Sequence, residues 1–298
     1  MSYKSGFIAI IGRPNVGKST LMNALLKEKI AIMSDKPNTT RNNIAGILTQ
    51  DDAQFVFVDT PGIHKPQQQL GRVLNKNAYM AMEDCDCIAW IVDANQSFGK
   101  GDAFILDRLD SMQKKIILIL NKIDLLSKEE LMNVLISWNQ KASFHAIIPI
   151  SAKEQDNLQE LLNVIKDILP EGTPLYPEEM KSDHGEDFQI TEIIREKILF
   201  NTKEEIPHSV AVLLENKDNR DNHLYLEAVI VVDRNSQKGI LIGKQGSMIK
   251  KIRLSAQKEL KDKFKCPVTL DLYVRVEKNW RNKDLKIKEF GLDEFNDD

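Results

Sequence analysis

The chain has 298 residues, 42% of them hydrophobic and 29% charged, with a net charge of −3. These values exclude wholesale disorder, a collagen repeat and a disulfide scaffold, and the length suits two domains with a core each. Five-residue apolar runs such as 7–11, 116–120 and 228–232 fall far short of the about 20 residues that cross a bilayer, and the opening stretch lacks the apolar core of a secretory signal.

In chain order, short Val/Ile/Phe-rich runs at 6–11, 44–49, 54–58, 88–92, 116–120 and 147–150 read as strands buried by helices on both faces. Asp51 and Asp52 join the second and third runs too tightly for a helical crossover, so that pair is expected to be an antiparallel hairpin. The rest are separated by helix-length segments. Residues 1–170 thus read as an α/β domain, a mainly parallel sheet with one antiparallel strand. Residues 171–186, rich in Pro, Gly and acidic side chains, read as a linker. Cys85, Cys87 and Cys266 form no C-x2-C pair, which argues for a reduced cytosolic protein without structural zinc, each thiol a small buried hydrophobe.

Beyond the linker the order changes. Ile190, Ile193, Ile194, Ile198 and Leu199 recur at helical spacing. Strands are expected at 208–214 and 224–232, separated by a polar stretch at 215–222. A helix at 247–262 and a strand at 268–276 complete an α-β-β-α-β order, a smaller α+β domain over 187–288, followed by an acidic tail at 289–298. Residues 234–288 carry sixteen Lys or Arg and five Asp or Glu, a charge of +11 that leaves the remainder at −14. Such a basic stretch on an acidic chain points to a polyanion partner.

The most specific motif is Gly12-Arg13-Pro14-Asn15-Val16-Gly17-Lys18-Ser19, a G-x4-G-K-[ST] phosphate loop between an expected strand and a helix that opens at Thr20. Its glycines let the backbone curl so that several N–H groups meet phosphate oxygens, and the helix N-terminus adds positive potential. Lys18 brings charge to the β- and γ-phosphates, and the Ser19 hydroxyl suits Mg2+. Asp59-Thr60-Pro61-Gly62 ends the third strand, where Asp59 suits a water-mediated hold on the metal and the Gly62 N–H can meet the γ-phosphate. Asn121-Lys122-Ile123-Asp124 follows the fifth strand. The Asp124 carboxylate can accept from N1–H and N2–H2 of guanine, which adenine lacks. Ser151-Ala152-Lys153, after the sixth strand, adds backbone contacts to the base.

Four elements, each at the C-terminal end of an expected strand, resemble a P-loop GTPase of the translation-factor-related class. With the linker and second domain, the chain resembles the bacterial Era family, of the TrmE–Era class, over about residues 5 to 280. The resemblance implies a first-switch threonine on Mg2+: Thr40 within Asn38-Thr39-Thr40-Arg41-Asn42, with Thr39 as the fallback. Lys18, Thr40 and Gly62 are then the catalytic positions, and Ser19, Thr40 and Asp59 the metal ligands. Where Ras-like GTPases place a glutamine, this chain has Ile63, which implies slow intrinsic turnover and leaves His64 as a direct participant or a switch residue. Asn15 either holds K+ beside the phosphates or simply suits the loop.

Gly243-Lys244-Gln245-Gly246 precedes the basic helix within the α-β-β-α-β order and looks like the G-x-x-G loop of a type II KH domain, which clamps an RNA backbone. Lys244, Lys250, Lys251 and Arg253 are its expected phosphate contacts, while Phe264 and Tyr273 are expected in the core. The resemblance implies a monomeric, cytoplasmic GTPase that binds GTP or GDP with Mg2+. Its implied partners are the 3′ region of 16S ribosomal RNA and the 30S subunit, whose assembly and rRNA maturation it assists. It also implies partial residence at the inner face of the cell membrane. Two other readings stand beside it, a GTP-gated RNA tether with negligible turnover and a membrane GTPase. The basic helix lacks the apolar face that the latter needs.

Overall fold

The computed structural model describes residues 2–36 and 39–293. In chain order the first half runs β1 (Lys4–Ile11), α1 (Lys18–Leu26), β2 (Ile44–Gln50), β3 (Ala53–Asp59), α2 (Gln69–Asp84), β4 (Cys87–Asp93), α3 (Lys100–Leu109), β5 (Lys115–Asn121), α4 (Lys128–Asn139), β6 (Ala146–Ile150) and α5 (Leu158–Ile168). The sheet order is β2-β3-β1-β4-β5-β6, and only β2 pairs antiparallel. Alternate residues supply two cores. Ile8, Ile10, Phe55 and Phe57 pack under α1 and α5, with Leu21, Met22, Leu161 and Ile165. Ala9, Ile11, Trp90 and Leu118 pack under α2, α3 and α4, with Met82, Ile105 and Trp138. Both faces being covered, the strands read as near-continuous apolar runs. The direction of strand succession reverses at β1, so the loop after β1 opens into a crevice at the carboxyl edge of the sheet.

The second half runs α6 (Glu186–Asn201), α7 (Ile206–Ser209), β7 (Ala211–Arg220), β8 (His223–Val232), α8 (Asn235–Ile242), α9 (Ser247–Phe264), β9 (Val268–Val276) and α10 (Asp284–Glu289). β7 lies antiparallel to β8, and β8 parallel to β9. One face of this sheet packs under α6 and α9 through Ile194, Ile198, Ile230, Ile252 and Leu270. The other face meets the first half: Val229 and Val231 pack with Trp280 and Ile287 and with Leu70, Val73 and Leu74 of α2. Among the described residues no helix is long and apolar enough to cross a membrane.

Three expectations change. The strand expected from 208 begins at Ala211, because Pro207 in the first turn of α7 fixes a helical start. The stretch 215–222, expected to be a polar separator, is strand to Arg220 and turns only at Asp221 and Asn222, both at positive φ (51° and 59°). β7 is an edge strand, so its outer half needs no apolar face and its polarity mimics a loop. The tail expected from 289 is in part folded: Phe290 and Leu292 are buried beside Trp280. Residues 294–298 of that tail lie outside the described residues, as does Asn38.

The segment 171–186 lies along the first sheet. Gln54 exchanges hydrogen bonds with the backbone of Leu175 and Tyr176, and Ile47 N donates to Lys181 O at 2.9 Å.

Candidate nucleotide and RNA sites

The loop after β1 is shaped by close approach. A Cβ at Gly12 would lie 2.4 Å from the Ile91 carbonyl oxygen, and one at Gly17, at φ 105°, 2.3 Å from Asn121 Nδ2. Asn15 adds a left-handed turn at φ 65°. The helix that follows has neither a side-chain cap nor an acidic residue in its first turn, so its N–H groups stay available to an anion. Lys18 is buried there, its Nζ donating to Arg13 O at 3.1 Å and to Gly12 O at 3.4 Å. Burial pushes its pKa down and Asp59 opposes the shift. A cleft of about 290 Å3 opens above this loop, lined by Pro14, Lys18, Ser19, Thr20, Thr40 and Lys122 among others.

Three hard oxygen donors converge at its floor. Ser19 Oγ donates to Asp59 Oδ2 at 2.6 Å, Thr40 Oγ1 donates to the same oxygen at 3.1 Å, and the hydroxyls are 3.0 Å apart. Asp59 is fully buried, and its Oδ1 has no hydrogen-bond partner. Burial raises its pKa against the pull of Lys18 and the two hydroxyls. A buried carboxylate with a spare oxygen beside two hydroxyls fits Mg2+. Thr39 turns elsewhere: its hydroxyl donates to Lys36 O at 2.6 Å, and its carbonyl accepts from Arg195 Nη2. Geometry thus separates two residues that sequence left adjacent.

Thr60 Oγ1 donates to Ile10 O at 2.8 Å, and Pro61 and Gly62 are buried, with Pro14 packed so closely that a Cβ at Gly62 would lie 2.9 Å away. Ile63 points into the core under α2 and α3. His64 Nδ1 lies 2.9 Å from Gly62 O, and Asn75 of α2 donates to His64 O at 2.7 Å. Arg13 turns away from the cleft to Asp102, at 3.1 Å, and Gln96, at 2.6 Å, so only its backbone serves the loop. Asn15 Nδ2 donates to Asp35 O at 2.7 Å, which commits the amide nitrogen and not the oxygen that a cation would need.

Asn121 ties three loops together: Nδ2 donates to Val16 O at 2.8 Å, and Oδ1 accepts from Ala152 N at 2.9 Å. Lys122, at φ 69°, donates from Nζ to Asn15 O at 3.1 Å and to Asp93 Oδ2 at 2.7 Å. Asp124 Oδ1 accepts from Ser151 Oγ at 2.6 Å, while Lys153 is exposed and pairs with Glu154. Sequence reasoning missed Asp93, Asp102 and Asn75, whose motif-free positions carry no signal of their own.

In the second half, Gly243 (φ 72°), Gln245 (φ 52°) and Gly246 (φ 76°) fold a tight turn between α8 and α9. A Cβ at Gly243 would lie 2.7 Å from Met248 Cβ, whereas Gly246 faces open space. Lys244, Gln245, Lys250 and Lys251 are exposed, and Arg253 is half-buried. A groove of about 320 Å3 runs between α9 and the edge strand β9, lined by Lys250, Arg253, Asp271 and Tyr273. Tyr273, expected in the core, is 55% exposed: β9 alternates, and Tyr273 has the opposite parity to core-facing Leu270. Phe264 packs against the core as expected.

The halves meet at the cleft. Arg41, next to Thr40, is buried and donates from its terminal nitrogens to Pro207 O, at 3.0 Å, and Val210 O. Asn42 Nδ2 donates to Gly291 O at 2.6 Å.

The comparisons follow this division. Residues 7–122 match the family model described as a 50S ribosome-binding GTPase, and residues 205–281 match the KH domain model. Among solved structures, the chain is 37% identical to Era in complex with MgGDPNP and nucleotides 1506-1542 of 16S ribosomal RNA, covering 97% of this chain and 99% of that one at a TM-score of 0.95. It is also 37% identical to a point variant of Aquifex aeolicus Era bound to GDP.AlF4-, with the same coverage and a TM-score of 0.94.

Proposed function

The chain belongs to the Era family of GTPases, and on that premise we propose that it hydrolyses GTP, binds 16S ribosomal RNA near its 3′ end and assists assembly of the 30S subunit and maturation of its rRNA. What carries this reading is one coincidence: a cleft with Ser19, Thr40 and Asp59 in mutual contact shares a chain with a basic glycine turn. The model matching residues 7–122 is named for 50S binding but covers only the first half. The 16S complex matches 97% of the chain, so the small subunit is the preferred partner.

In this reading the N–H groups of residues 12–20 and Lys18 Nζ hold the β- and γ-phosphates. Ser19, Thr40 and Asp59 would hold Mg2+, which would supply positive charge to offset that of those phosphates. Gly62 offers its N–H to the γ-phosphate, and Asp124 reads guanine between the loops that Asn121 ties together. Lys122 and Ala152 wall the base, with Lys153 at its rim. Chemistry is phosphoryl transfer to water driven by positioning. Ile63, buried, does nothing for that water, so basal turnover is slow. Lys244, Gln245, Lys250, Lys251 and Arg253 carry the RNA backbone past Gly243 and Gly246.

We divide the chain into a nucleotide domain at 1–170, a connector at 171–186 and an RNA domain from 187 to at least 293. Its place of work is the cytoplasm, with vesicle co-sedimentation as the test of any share at the membrane. The deciding experiment measures GTP turnover and RNA binding with and without a 3′-terminal 16S RNA. RNA binding with no turnover in either condition would leave a GTP-gated tether, and absence of both would remove the reading.

A further inference from the structure

A cavity of about 510 Å3 lies at the seam between the two halves, away from the nucleotide cleft, and its walls are cationic. Arg41 enters it from the segment before β2, His64 from the loop after β3, and His208, Arg234 and Arg281 from the second half. Glu205 is the one carboxylate among these lining residues. Arg281 is already compensated, its Nε donating to Asp233 Oδ2 at 2.6 Å. Arg41 is not. It is 2% exposed, both terminal nitrogens meet uncharged carbonyls, and its Nε is buried without a hydrogen-bond partner. Arg234 makes no ion pair among the described residues.

The electrostatics agree with this geometry. Burial and the guanidiniums of Arg195 and Arg281 push Arg41 down to about 9, with Glu192 opposing. Burial with Arg41, Arg281 and Lys36 pushes His208 down, with Glu205 opposing. Several cations therefore face one another across a cavity with too little negative charge to balance them.

We propose that this seam cavity is an anion site that takes one phosphate group, held between Arg41 of the nucleotide half and Arg234 of the RNA half. Guanidinium N–H forks match tetrahedral oxyanions, and the amides of Gln67 and Gln68 add neutral donors at the wall. The ligand bridges the two halves, so it binds only while they are docked and stabilises that docking by linkage. His64 lies two residues past Gly62, which puts the site beside the segment that meets the γ-phosphate. Two sources supply this chemistry, free inorganic phosphate and a backbone phosphate of bound RNA.

The test uses the full chain saturated with GDP and Mg2+, so that the phosphate loop is filled. It rests on the nucleotide reading for that step alone. Inorganic phosphate is titrated by calorimetry against chloride at matched ionic strength. One phosphate should bind per chain. Arg234→Gln should weaken it about tenfold, the effect of removing one charge-assisted hydrogen bond. Arg234 is exposed and outside the nucleotide cleft, so the variant should bind GDP like the parent. An RNA that competes with phosphate assigns the site to a backbone phosphate, and one that binds alongside assigns it to the free ion. No saturable phosphate binding, or equal affinity in Arg234→Gln, would each overturn the proposal. Failure of GDP to bind the parent chain would instead fault the nucleotide reading.

Discussion

Arg195, on a helix of the RNA-binding half, donates from Nη2 to the carbonyl oxygen of Thr39, one residue before the Thr40 hydroxyl that lies 3.1 Å from Asp59 Oδ2. On the other side of Thr40, Arg41 is fastened to Pro207 and Val210 of the same half. The oxygen that would meet the metal is thus bracketed by contacts from the second domain. Removing that domain should loosen the catalytic floor as well as RNA binding.

Arg195→Gln should therefore raise the Mg2+ concentration needed for half-maximal GTP hydrolysis about tenfold, the scale of one buried charge-assisted hydrogen bond. Affinity for GDP should stay near that of the parent. An unchanged Mg2+ dependence would show that Thr40 needs no help from the second half.

Asp124→Asn should lose GTP affinity by at least about a hundredfold and gain xanthosine triphosphate, because the new amide donates where guanine also donates. Ser151 already commits its hydroxyl to Asp124 Oδ1, so Ser151→Ala should weaken GTP binding far less. Competition between the two nucleotides for each variant checks both expectations.

Asn15 Nδ2 is committed to Asp35 O, which leaves Oδ1 as the atom that would meet a cation. If it holds K+, exchanging Na+ for K+ at constant ionic strength should raise hydrolysis, and Asn15→Ala should erase the difference. Equal rates in both salts would reduce Asn15 to its role in shaping the loop.

Gly246 faces open space at φ 76°, so Gly246→Asp strains a surface turn and adds a negative charge without a clash. The variant should stay folded and lose RNA binding. Replacing Lys250 and Lys251 together should instead weaken binding and flatten its salt dependence. On a single strand the log–log slope should fall by roughly 0.7 for each phosphate that is no longer neutralised. Filter binding across a salt series reads both, and an unaltered slope would move the RNA elsewhere.

His208 is held below its ordinary value near 6.5, chiefly by burial and then by Arg41, Arg281 and Lys36, with Glu205 opposing. The unfolded chain therefore takes up this proton before the folded one does. The contribution is fully present above about pH 6.5 and is lost as pH falls through the lower folded value. Chemical denaturation should show stability declining on acidification below about pH 6.5, and His208→Asn should flatten that part of the curve. An identical pH profile in the variant would place the effect on other groups.

The phosphate loop, the two loops proposed to frame the base and the basic glycine turn were legible in the order of residues. Each depends on local chemistry: glycines where backbones crowd, a lysine and a hydroxyl at a helix start, a carboxylate just past a strand. Alternation and apolar runs likewise carried the six-stranded sheet, since strands covered on both faces must be apolar throughout. They failed at β7, where an edge strand suffers no penalty for polarity, and at Tyr273, where only the parity of β9 against its neighbours decides which side is wet. Tertiary structure alone set the Thr40 hydroxyl against Asp59 and turned that of Thr39 to Lys36 O, because adjacent identical residues differ only in where the folded chain aims them. It alone joined Asp93 to Lys122 and Asp102 to Arg13, and it alone brought Arg41, Arg234 and Arg281 around one cavity. Those contacts span tens to hundreds of residues, and long-range proximity of this kind leaves no periodicity or spacing in a single chain.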